Sequence, residues 1–174
     1  PLSMSVNLSC KQFTQVDLVE YVEHVLHETG LEADSLKLEI TESVLMHDIE
    51  KALGILTALR DLGIRIAIDD FGIGYASLAT LRHFPLDTIK IDRSLIRDFA
   101  RVPENKDLAK AIIAMGRTLS LNVVAQGVET AEQADFLRQN ACGEIQGFYF
   151  SKAVAAGEFA ELVDAQTTIT AADT

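Results

Sequence analysis

The fold is decided by residues 65–92, which read RIAIDDFGIGYASLATLRHFPLDTIKID. Two short runs within this stretch, Arg65–Asp70 and Thr88–Asp92, are rich in isoleucine and end in carboxylates. Isoleucine is typical of β-strands, and strands that are apolar on both faces are typical of a parallel sheet covered by helices. We therefore predict two parallel strands whose carboxyl ends carry acidic side chains.

The same alternation of short apolar runs and longer segments of helical period extends over most of the chain. The six predicted strands are Met4–Ser9, Leu36–Glu42, Arg65–Asp70, Thr88–Asp92, Asn122–Gln126 and Glu144–Phe150. The predicted helices are Asp17–Thr29, Asp48–Leu62, Lys106–Thr118 and Ala131–Asn140. Gly30 and Gly63 are typical helix stops, and Thr130 is a typical N-cap. This alternation predicts βα units joined into one parallel sheet.

The polar residues of these strands fall within or just after successive strands, which favours a barrel over an open doubly wound sheet. Barrel active sites are assembled at the carboxyl ends of the strands. A (β/α)8 barrel has eight strands and about 250 residues, so this chain is two units short. We interpret the fold as α/β, a barrel truncated at its N-terminus to about six βα units. A doubly wound sheet would also satisfy the strand pattern.

The charge balance of the chain limits its partners. The net charge is −11, with 15 basic and 26 acidic residues. Binding of duplex DNA or RNA relies on many Lys and Arg side chains that neutralise phosphates, so the composition argues against such a partner. No apolar run approaches the roughly 20 residues of a membrane span, and no basic-then-apolar leader opens the sequence. We therefore expect cytoplasmic residence and no membrane contact by this segment.

The strand ends carry oxygen-bearing side chains and a lysine, which is the composition of a hard-cation site. Mg²⁺ and Mn²⁺ prefer oxygen ligands from carboxylates, amides and water. Asp69 and Asp70 are adjacent and could bridge two ions, the usual device for displacement at phosphorus. Lys90 would add a positive charge for the attacking water or a phosphoryl oxygen. The alternative is that these acids are only solvated or cap the helices that follow.

Six short motifs follow one another along the chain. They are Val6-Asn7-Leu8-Ser9, Ile40-Thr41-Glu42-Ser43, Asp69-Asp70-Phe71-Gly72-Ile73-Gly74-Tyr75, Lys90-Ile91-Asp92, Gly127-Val128-Glu129-Thr130 and Gln146-Gly147-Phe148. In content and order they resemble the motifs of EAL-family cyclic-di-GMP phosphodiesterases. The resemblance implies a modified TIM-type (β/α)8 barrel and metal-dependent cleavage of cyclic-di-GMP to linear pGpG. Residues 1–166 would form a partial EAL domain, and the small, polar residues 167–174 a tail or linker.

The resemblance also implies a role for each residue at a matching motif position. The implied metal ligands, around a two-metal site for Mg²⁺ or Mn²⁺, are Asn7, Glu42, Asp69 and Asp70. The implied catalytic residues are Lys90, Asp70 and Gln126, and the implied substrate-binding residues are Gln146 and Asp92. The implied supports of the loop after the Asp-Asp strand are Glu129, Gly72, Gly74 and Tyr75. Glu39, a second carboxylate on the Glu42 strand, is interpreted as structural.

The sequence departs from the family pattern at two positions that matter for catalysis. The Glu-Ala-Leu motif, whose glutamate is a metal ligand in the family, is absent, so one cation would lose an anionic ligand. Gln126 stands where the family has a glutamate that acts as metal ligand and possible base. An amide can neither carry that charge nor accept a proton near neutral pH. We therefore expect a phosphodiesterase domain that does not hydrolyse its ligand in this form.

Two other interpretations stay open. In the first, the chain is a receptor that binds cyclic-di-GMP without cleaving it and signals through the loop 72–78 and a dimer interface. In the second, the chain is a fragment whose opening strands exist in a longer parent. The family resemblance further implies a homodimer and an upstream sensory or GGDEF domain.

Overall fold

Six parallel strands form a single sheet in the part of the chain that the computed structural model describes, residues 2–74 and 78–163. The strands pair in chain order, each with its sequence neighbours. They are β1 (Met4–Asn7), β2 (Leu36–Thr41), β3 (Arg65–Phe71), β4 (Thr88–Ile91), β5 (Asn122–Gln126) and β6 (Glu144–Gln146). The six predicted strands and their parallel arrangement are confirmed.

Helices connect the strands. They are α1 (Cys10–Phe13), α2 (Leu18–Thr29), α3 (Glu42–His47), α4 (Ile49–Asp61), α5 (Leu78–Leu81), α6 (Arg93–Arg97), α7 (Pro103–Thr118) and α8 (Ala131–Gln139). A 3-10 turn at Ala33–Ser35 precedes β2. Among the helices of residues 2–74 and 78–163, none is long and apolar enough to cross a membrane.

The four predicted helices are all present, and their ends have clear physical causes. The backbone of Gly30 adopts the left-handed conformation that ends α2, with φ of 67°. Thr130 caps α8 in a capping box with Gln133. Helix α7 begins at Pro103, three residues before the predicted start, because proline is well tolerated in a first helical turn.

Four strands, β1, β2, β4 and β6, are shorter than the sequence predicted. Strand β2 ends at Thr41, because Glu42 is already the first residue of α3. Strand β6 ends at Gln146, because the chain then turns and the N–H of Phe150 donates to the carbonyl of Gly147 at 3.1 Å. The predicted tail, residues 167–174, lies outside the described residues.

The outward face of the sheet is apolar and packs under the helices. The buried strand residues of this face are Leu38, Ile40, Ile66, Ile68, Ile89, Ile91, Val123 and Ala125. Leu56 and Leu59 of α4, Ile113 of α7 and Leu137 of α8 belong to the same core cluster. Each fully buried aliphatic side chain stabilises the fold by about 1.5–3 kcal/mol, so this layer holds the molecule together.

The inward face of the sheet is polar, because strand side chains alternate between the two faces. Its buried members include Lys37, Glu39, Asp69, Thr88 and Lys90. Ser5 of β1 and Glu144 of β6 line one cavity of about 210 Å³ together with Lys37, Glu39 and Lys90. The two edge strands can share a cavity only if the sheet curls. The structure is therefore a partial α/β barrel, as predicted.

Candidate functional site

The carboxyl ends of the strands form a cleft of about 510 Å³. Its lining includes five residues that the sequence had pointed to, namely Asp70, Asp92, Gln126, Glu129 and Gln146. The parallel register accounts for part of this convergence, because Gln126 of β5 pairs directly with Gln146 of β6. The cleft therefore receives polar groups from four different strands, either from their carboxyl ends or from the turns that follow.

A buried ion group lies deeper on the inward face. The Lys90 ammonium is 2.5 Å from a carboxylate oxygen of Glu39, and the two side chains are only 6% and 5% exposed. The same ammonium is 3.9 Å from Oδ1 of Asp69. Lys90 lies on β4, two residues before Asp92 of the cleft, so the ion group and the cleft are contiguous.

One oxygen of this group is not satisfied. Oδ1 of Asp69 is fully buried and has no hydrogen-bond partner among the described residues. The 3.9 Å to the Lys90 ammonium is too long for a hydrogen bond. A buried carboxylate oxygen without a partner is costly, so this position favours a further cationic group.

Asp70 reaches the cleft through an irregular strand end. The register of β3 against β4 shifts between Ile68 and Phe71, and the backbone of Asp70 is left-handed with φ of 53°. Burial raises the pKa of the Asp70 carboxyl, and the negative charges of Asp69 and Asp92 raise it further. The three carboxylates are thus near enough to repel one another, and a bound cation would relieve that repulsion.

Asp92 stays ionised more readily than Asp70. Burial alone would raise the pKa of Asp92, but hydrogen bonds from the hydroxyl and backbone N–H of Ser94 outweigh it and lower this pKa. The N–H of Ser94 donates to Oδ1 at 2.8 Å, because Asp92 is the N-cap of α6. Helix α6 therefore fixes the orientation of this carboxylate.

Glu42 contacts the loop after β3 rather than the ion group on the inward face. A Cβ added at Gly74 would overlap the Glu42 carboxylate, so the two residues are packed against each other. Gly72, in the same loop, has φ of 103° and lies against Leu95 and Ile112. Tyr75, predicted to support this loop, lies outside the described residues.

Glu39 occupies the position on β2 that adjoins both Lys90 and Asn7. The register pairs Asn7 of β1 with Glu39 of β2, and Thr41 of β2 with Asp69 of β3. The sequence interpretation had given Glu39 a structural role. A usable signal was present, because apolar Leu38 and Ile40 alternate with Glu39 and so direct it to the opposite, inward face.

Arg93 and Phe148 also line the cleft, and the sequence interpretation assigned neither of them a role. Arg93 directly follows Asp92 and is the first residue of α6. Phe148 lies in the turn after β6 and is 64% exposed. Arg93 is next to the predicted residue Asp92, and Phe148 is two residues after the predicted residue Gln146, so nearness in sequence is the signal that could have found both.

The oxygen donors do not form a compact acidic cluster. Within the described residues, no three His, Cys, Asp or Glu side chains are close enough together to hold a metal ion. The donors are instead distributed over the ends of β1, β2, β3 and β4. Their chemistry is that of a hard-cation site, since all are carboxylate or amide oxygens.

Comparison with known proteins gives concordant matches. The model of the EAL domain family matches residues 1–153. The cyclic di-GMP phosphodiesterase NbdA of Pseudomonas aeruginosa is 46% identical over 151 residues, which are 87% of this chain and 19% of NbdA. The chain spans about a fifth of the length of the curated relatives it matches.

Solved structures of related proteins superpose closely. The PaMucR phosphodiesterase, in complex with c-di-GMP, is 41% identical, with a TM-score of 0.89 over 90% of this chain and 64% of that chain. BlrP1 of Klebsiella pneumoniae, in complex with manganese and cyclic-di-GMP, is 32% identical. Its TM-score is 0.79 over 86% of this chain and 38% of that chain.

Proposed function

Because this chain belongs to the EAL domain family, we propose that it is a phosphodiesterase domain that binds cyclic-di-GMP in the cleft. The reaction of such a site is hydrolysis to linear pGpG with two divalent cations, Mg²⁺ or Mn²⁺. In the present chain, Gln126 and the absence of the Glu-Ala-Leu glutamate both keep this reaction slow. The observation that carries the proposal is the buried ion group of Glu39, Lys90 and Asp69 beside an acidic cleft.

The residues present fit a divalent cation in charge and donor type. Asp69 has a buried oxygen without a partner, and Asp70 has a raised pKa beside two other carboxylates. Asn7 would add an amide oxygen from the end of β1. Bound cations would activate water and stabilise the leaving oxygen. We include Glu39 as the β2 carboxylate beside these donors and regard Glu42 as the support of the loop, since Glu42 packs against Gly74.

Lys90 is placed to act on the reacting phosphate or on the attacking water. Its ammonium is held by Glu39 at 2.5 Å and cannot move away without leaving a buried charge unpaired. A fixed positive charge stabilises the negative charge that develops on phosphoryl oxygens. In the reaction, the water oxygen bonds to phosphorus, the bond from phosphorus to the 3′ oxygen breaks, and that oxygen takes up a proton.

Gln126 determines how far this reaction proceeds. It lies at the end of β5 in the cleft, where its amide offers hydrogen bonds but no negative charge and no proton acceptor near neutral pH. Binding of the dinucleotide needs shape and hydrogen bonds, which glutamine keeps. Proton transfer contributes about 10²- to 10⁴-fold to rate, and that contribution is lost.

The test of this proposal is the substitution Gln126→Glu in a full-length parent that carries the Glu-Ala-Leu strand. We expect the wild-type protein to bind cyclic-di-GMP in calorimetry with little pGpG formed, and the variant to form pGpG about 10²-fold faster or more. Product chromatography in Mn²⁺ buffer measures the rate. Gln146→Glu is the matched control, because it adds the same charge to the register partner of Gln126 in the same cleft.

Two outcomes would reject the proposal. If the folded Gln126→Glu protein formed no pGpG in Mn²⁺, the catalytic assignment would be wrong. If Gln146→Glu restored the rate equally, added charge in general, and not a group at position 126, would be responsible.

A receptor that binds cyclic-di-GMP without cleaving it is the second candidate. The neutral Gln126 favours it, and so does the packing of Glu42 against Gly74, which couples the end of β2 to the loop after β3. We propose a homodimer and an upstream sensory or GGDEF domain as the partners of such a receptor. Binding that persists in the Gln126→Glu protein, without pGpG, would support this candidate over the enzyme.

A further inference from the structure

The cavity of about 210 Å³ inside the curl of the sheet is distinct from the cleft. Among the described residues that line the two spaces, Gln146 is the one they share. Lys37 and Thr88 line the cavity two residues before Glu39 and Lys90 on the same strands. Side chains two residues apart on a strand face the same way, so the cavity extends one layer towards the amino ends of the strands.

The Lys37 side chain is buried in this cavity without a partner. It is 9% exposed, and within residues 2–74 and 78–163 its ammonium has no carboxylate within 4 Å and no hydrogen-bond acceptor. The other buried lysine of this face, Lys90, has Glu39 at 2.5 Å. Buried lysines are rarely unpaired, because removing an ammonium from water is costly unless an opposite charge replaces that water.

The neighbouring strands do not supply the missing negative charge. The register partner of Lys37 on β1 is Ser5, which is neutral, and its partner on β3 is Arg65, which is also basic. Like charges on adjacent strands repel each other, and an anion close to both would relieve that repulsion. The surroundings of Lys37 therefore favour a negatively charged group that these strands lack.

The two carboxylates that line the cavity already have partners among the described residues. Glu39 is held by Lys90. Glu144 lies on the exposed edge strand β6, and its carboxylate accepts a hydrogen bond from the side-chain amide of Asn122 at 2.7 Å. Water screens a charge at such an edge, so its repulsion of an anion near Lys37 is weak.

The rest of the cavity suits a small oxyanion. Ser5 and Thr88 add hydroxyl groups and Gln146 adds an amide, all of which can donate hydrogen bonds to oxygen. Val124 and Ile145 lower the local polarity, which strengthens a charge-assisted hydrogen bond. A volume of about 210 Å³ equals roughly seven water molecules at about 30 Å³ each. It is below the range of about 300–1,000 Å³ for larger organic ligands.

We propose that Lys37 anchors a binding site for a small oxyanion of phosphate size inside the curl of the sheet. The ammonium donates charge-assisted hydrogen bonds to the oxygens of the ion, and the hydroxyl groups of Ser5 and Thr88 bind its remaining oxygens. The site needs neither a metal nor a dinucleotide, so it goes beyond the function proposed for the cleft.

Equilibrium dialysis of the whole chain against labelled inorganic phosphate tests the site, in metal-free buffer at constant ionic strength. We expect saturable binding by the wild-type protein and binding at least about 10-fold weaker in Lys37→Met, because a hydrogen bond to a charged group is lost. Ser5→Ala is expected to weaken binding by about 2- to 10-fold, because a neutral hydrogen bond contributes less. Ser5 lies on an exposed edge strand, so this variant keeps its fold.

Thermal unfolding gives a second measurement of the same site. Without phosphate, Lys37→Met is expected to unfold at a higher temperature than wild type, because the unpaired buried ammonium is gone. Phosphate is expected to narrow this difference, because it stabilises the folded wild-type protein by binding to it. Lys11→Met is the matched control, since Lys11 is exposed on α1 and does not line the cavity. Its phosphate affinity is expected to stay within about 2-fold of wild type.

Equal phosphate binding by wild type and Lys37→Met would overturn the proposal, because the ion would then lie elsewhere on the protein. Absence of saturable binding by the wild-type protein would overturn it as well. A Lys37→Met protein less stable than wild type in phosphate-free buffer would contradict the lack of a counter-charge at Lys37. Binding of cyclic-di-GMP is measured separately, so these outcomes leave the function proposed for the cleft unaffected.

Discussion

Glu39 and Lys90 illustrate how buried charge shapes this protein. Their side chains are almost completely excluded from solvent, and each neutralises the other at 2.5 Å. Such a pair adds little net stability compared with apolar residues, yet removal of one partner leaves the other buried and unpaired. The pair places the ammonium beside Asp69, which is where the proposed reaction needs it.

We expect Glu39→Gln to lower the free energy of unfolding by about 3 kcal/mol, because Lys90 loses its closest counter-charge and the only other partner described, Asp69, is 3.9 Å away. Urea denaturation measures the change. The double substitution Glu39→Met with Lys90→Met is expected to recover most of the loss, since it removes both charges at once.

The matched control is the exposed pair of Asp135 and Arg138, whose closest atoms are 2.6 Å apart. Asp135→Asn is expected to cost only about 0–1 kcal/mol, because water screens an exposed pair. Equal losses in the free energy of unfolding for Glu39→Gln and Asp135→Asn would contradict this prediction, because they would show that the buried pair is no more important for stability than the exposed pair.

The junction of β2 and α3 directs the side chains of Glu39 and Glu42 to different places. No loop intervenes, so Glu39 keeps the inward direction of the strand while Glu42 takes the direction of a first helical turn. Glu42 consequently packs against Gly74 in the loop after β3. A change at Gly74 would therefore act on Glu42 at the end of β2.

We expect Gly74→Ala to lower the free energy of unfolding by at most about 1 kcal/mol, because its Cβ would displace only the carboxylate end of the flexible Glu42 side chain. Gly54→Ala is the control, since Gly54 lies inside α4 with nothing within 4 Å of an added Cβ. That substitution is expected to stabilise the protein by about 1 kcal/mol. Urea denaturation measures the free energy of unfolding of both variants. A Gly74→Ala protein more stable than wild type would contradict the proposed contact with Glu42.

The elements that were predictable are those with a long or strongly alternating pattern. All six strands and four longer helices follow from periodicity, and Gly30 and Thr130 set two helix ends correctly. The short helices α1, α3, α5 and α6 were missed, because four to six residues contain too few turns to show a period. Strand β6 was overextended for a related reason: the aromatic run after Gln146 resembles a strand, although it turns.

The candidate site was only partly predictable. Residues at strand ends could be named, because parallel strands bring their carboxyl ends to one edge. The pairing of Lys90 with Glu39 depends on the curl of the sheet across β2 and β4, which no local pattern encodes. Arg93 and Phe148 lie after the strand ends, where only the packing of turns decides which side chains face the cleft.

The whole fold should respond to a divalent cation, since the proposed ligands come from separate strands. Mn²⁺ at 100 times its dissociation constant is expected to add about 2.7 kcal/mol to the free energy of unfolding, because it binds only the folded chain. Asp69→Asn is expected to abolish most of this gain. Thermal unfolding with and without Mn²⁺ measures it.

Asp34→Asn provides the control for this experiment, because Asp34 is an exposed carboxylate in the 3-10 turn before β2. It is expected to keep the full gain from Mn²⁺. A gain of the same size in Asp69→Asn and in wild type would place the cation elsewhere on the protein.

The charged lining of the curled sheet also determines where the heat tolerance of the domain can be improved. Apolar substitutions on that concave side would remove the charged side chains of the proposed site. Any stability gained there would therefore come at the expense of the proposed activity. The apolar residues on the convex side of the sheet and in the helices packed on it are not part of the proposed site. Substitutions intended to raise thermal stability are therefore best confined to those helices and the convex face, and the concave face is best left unchanged.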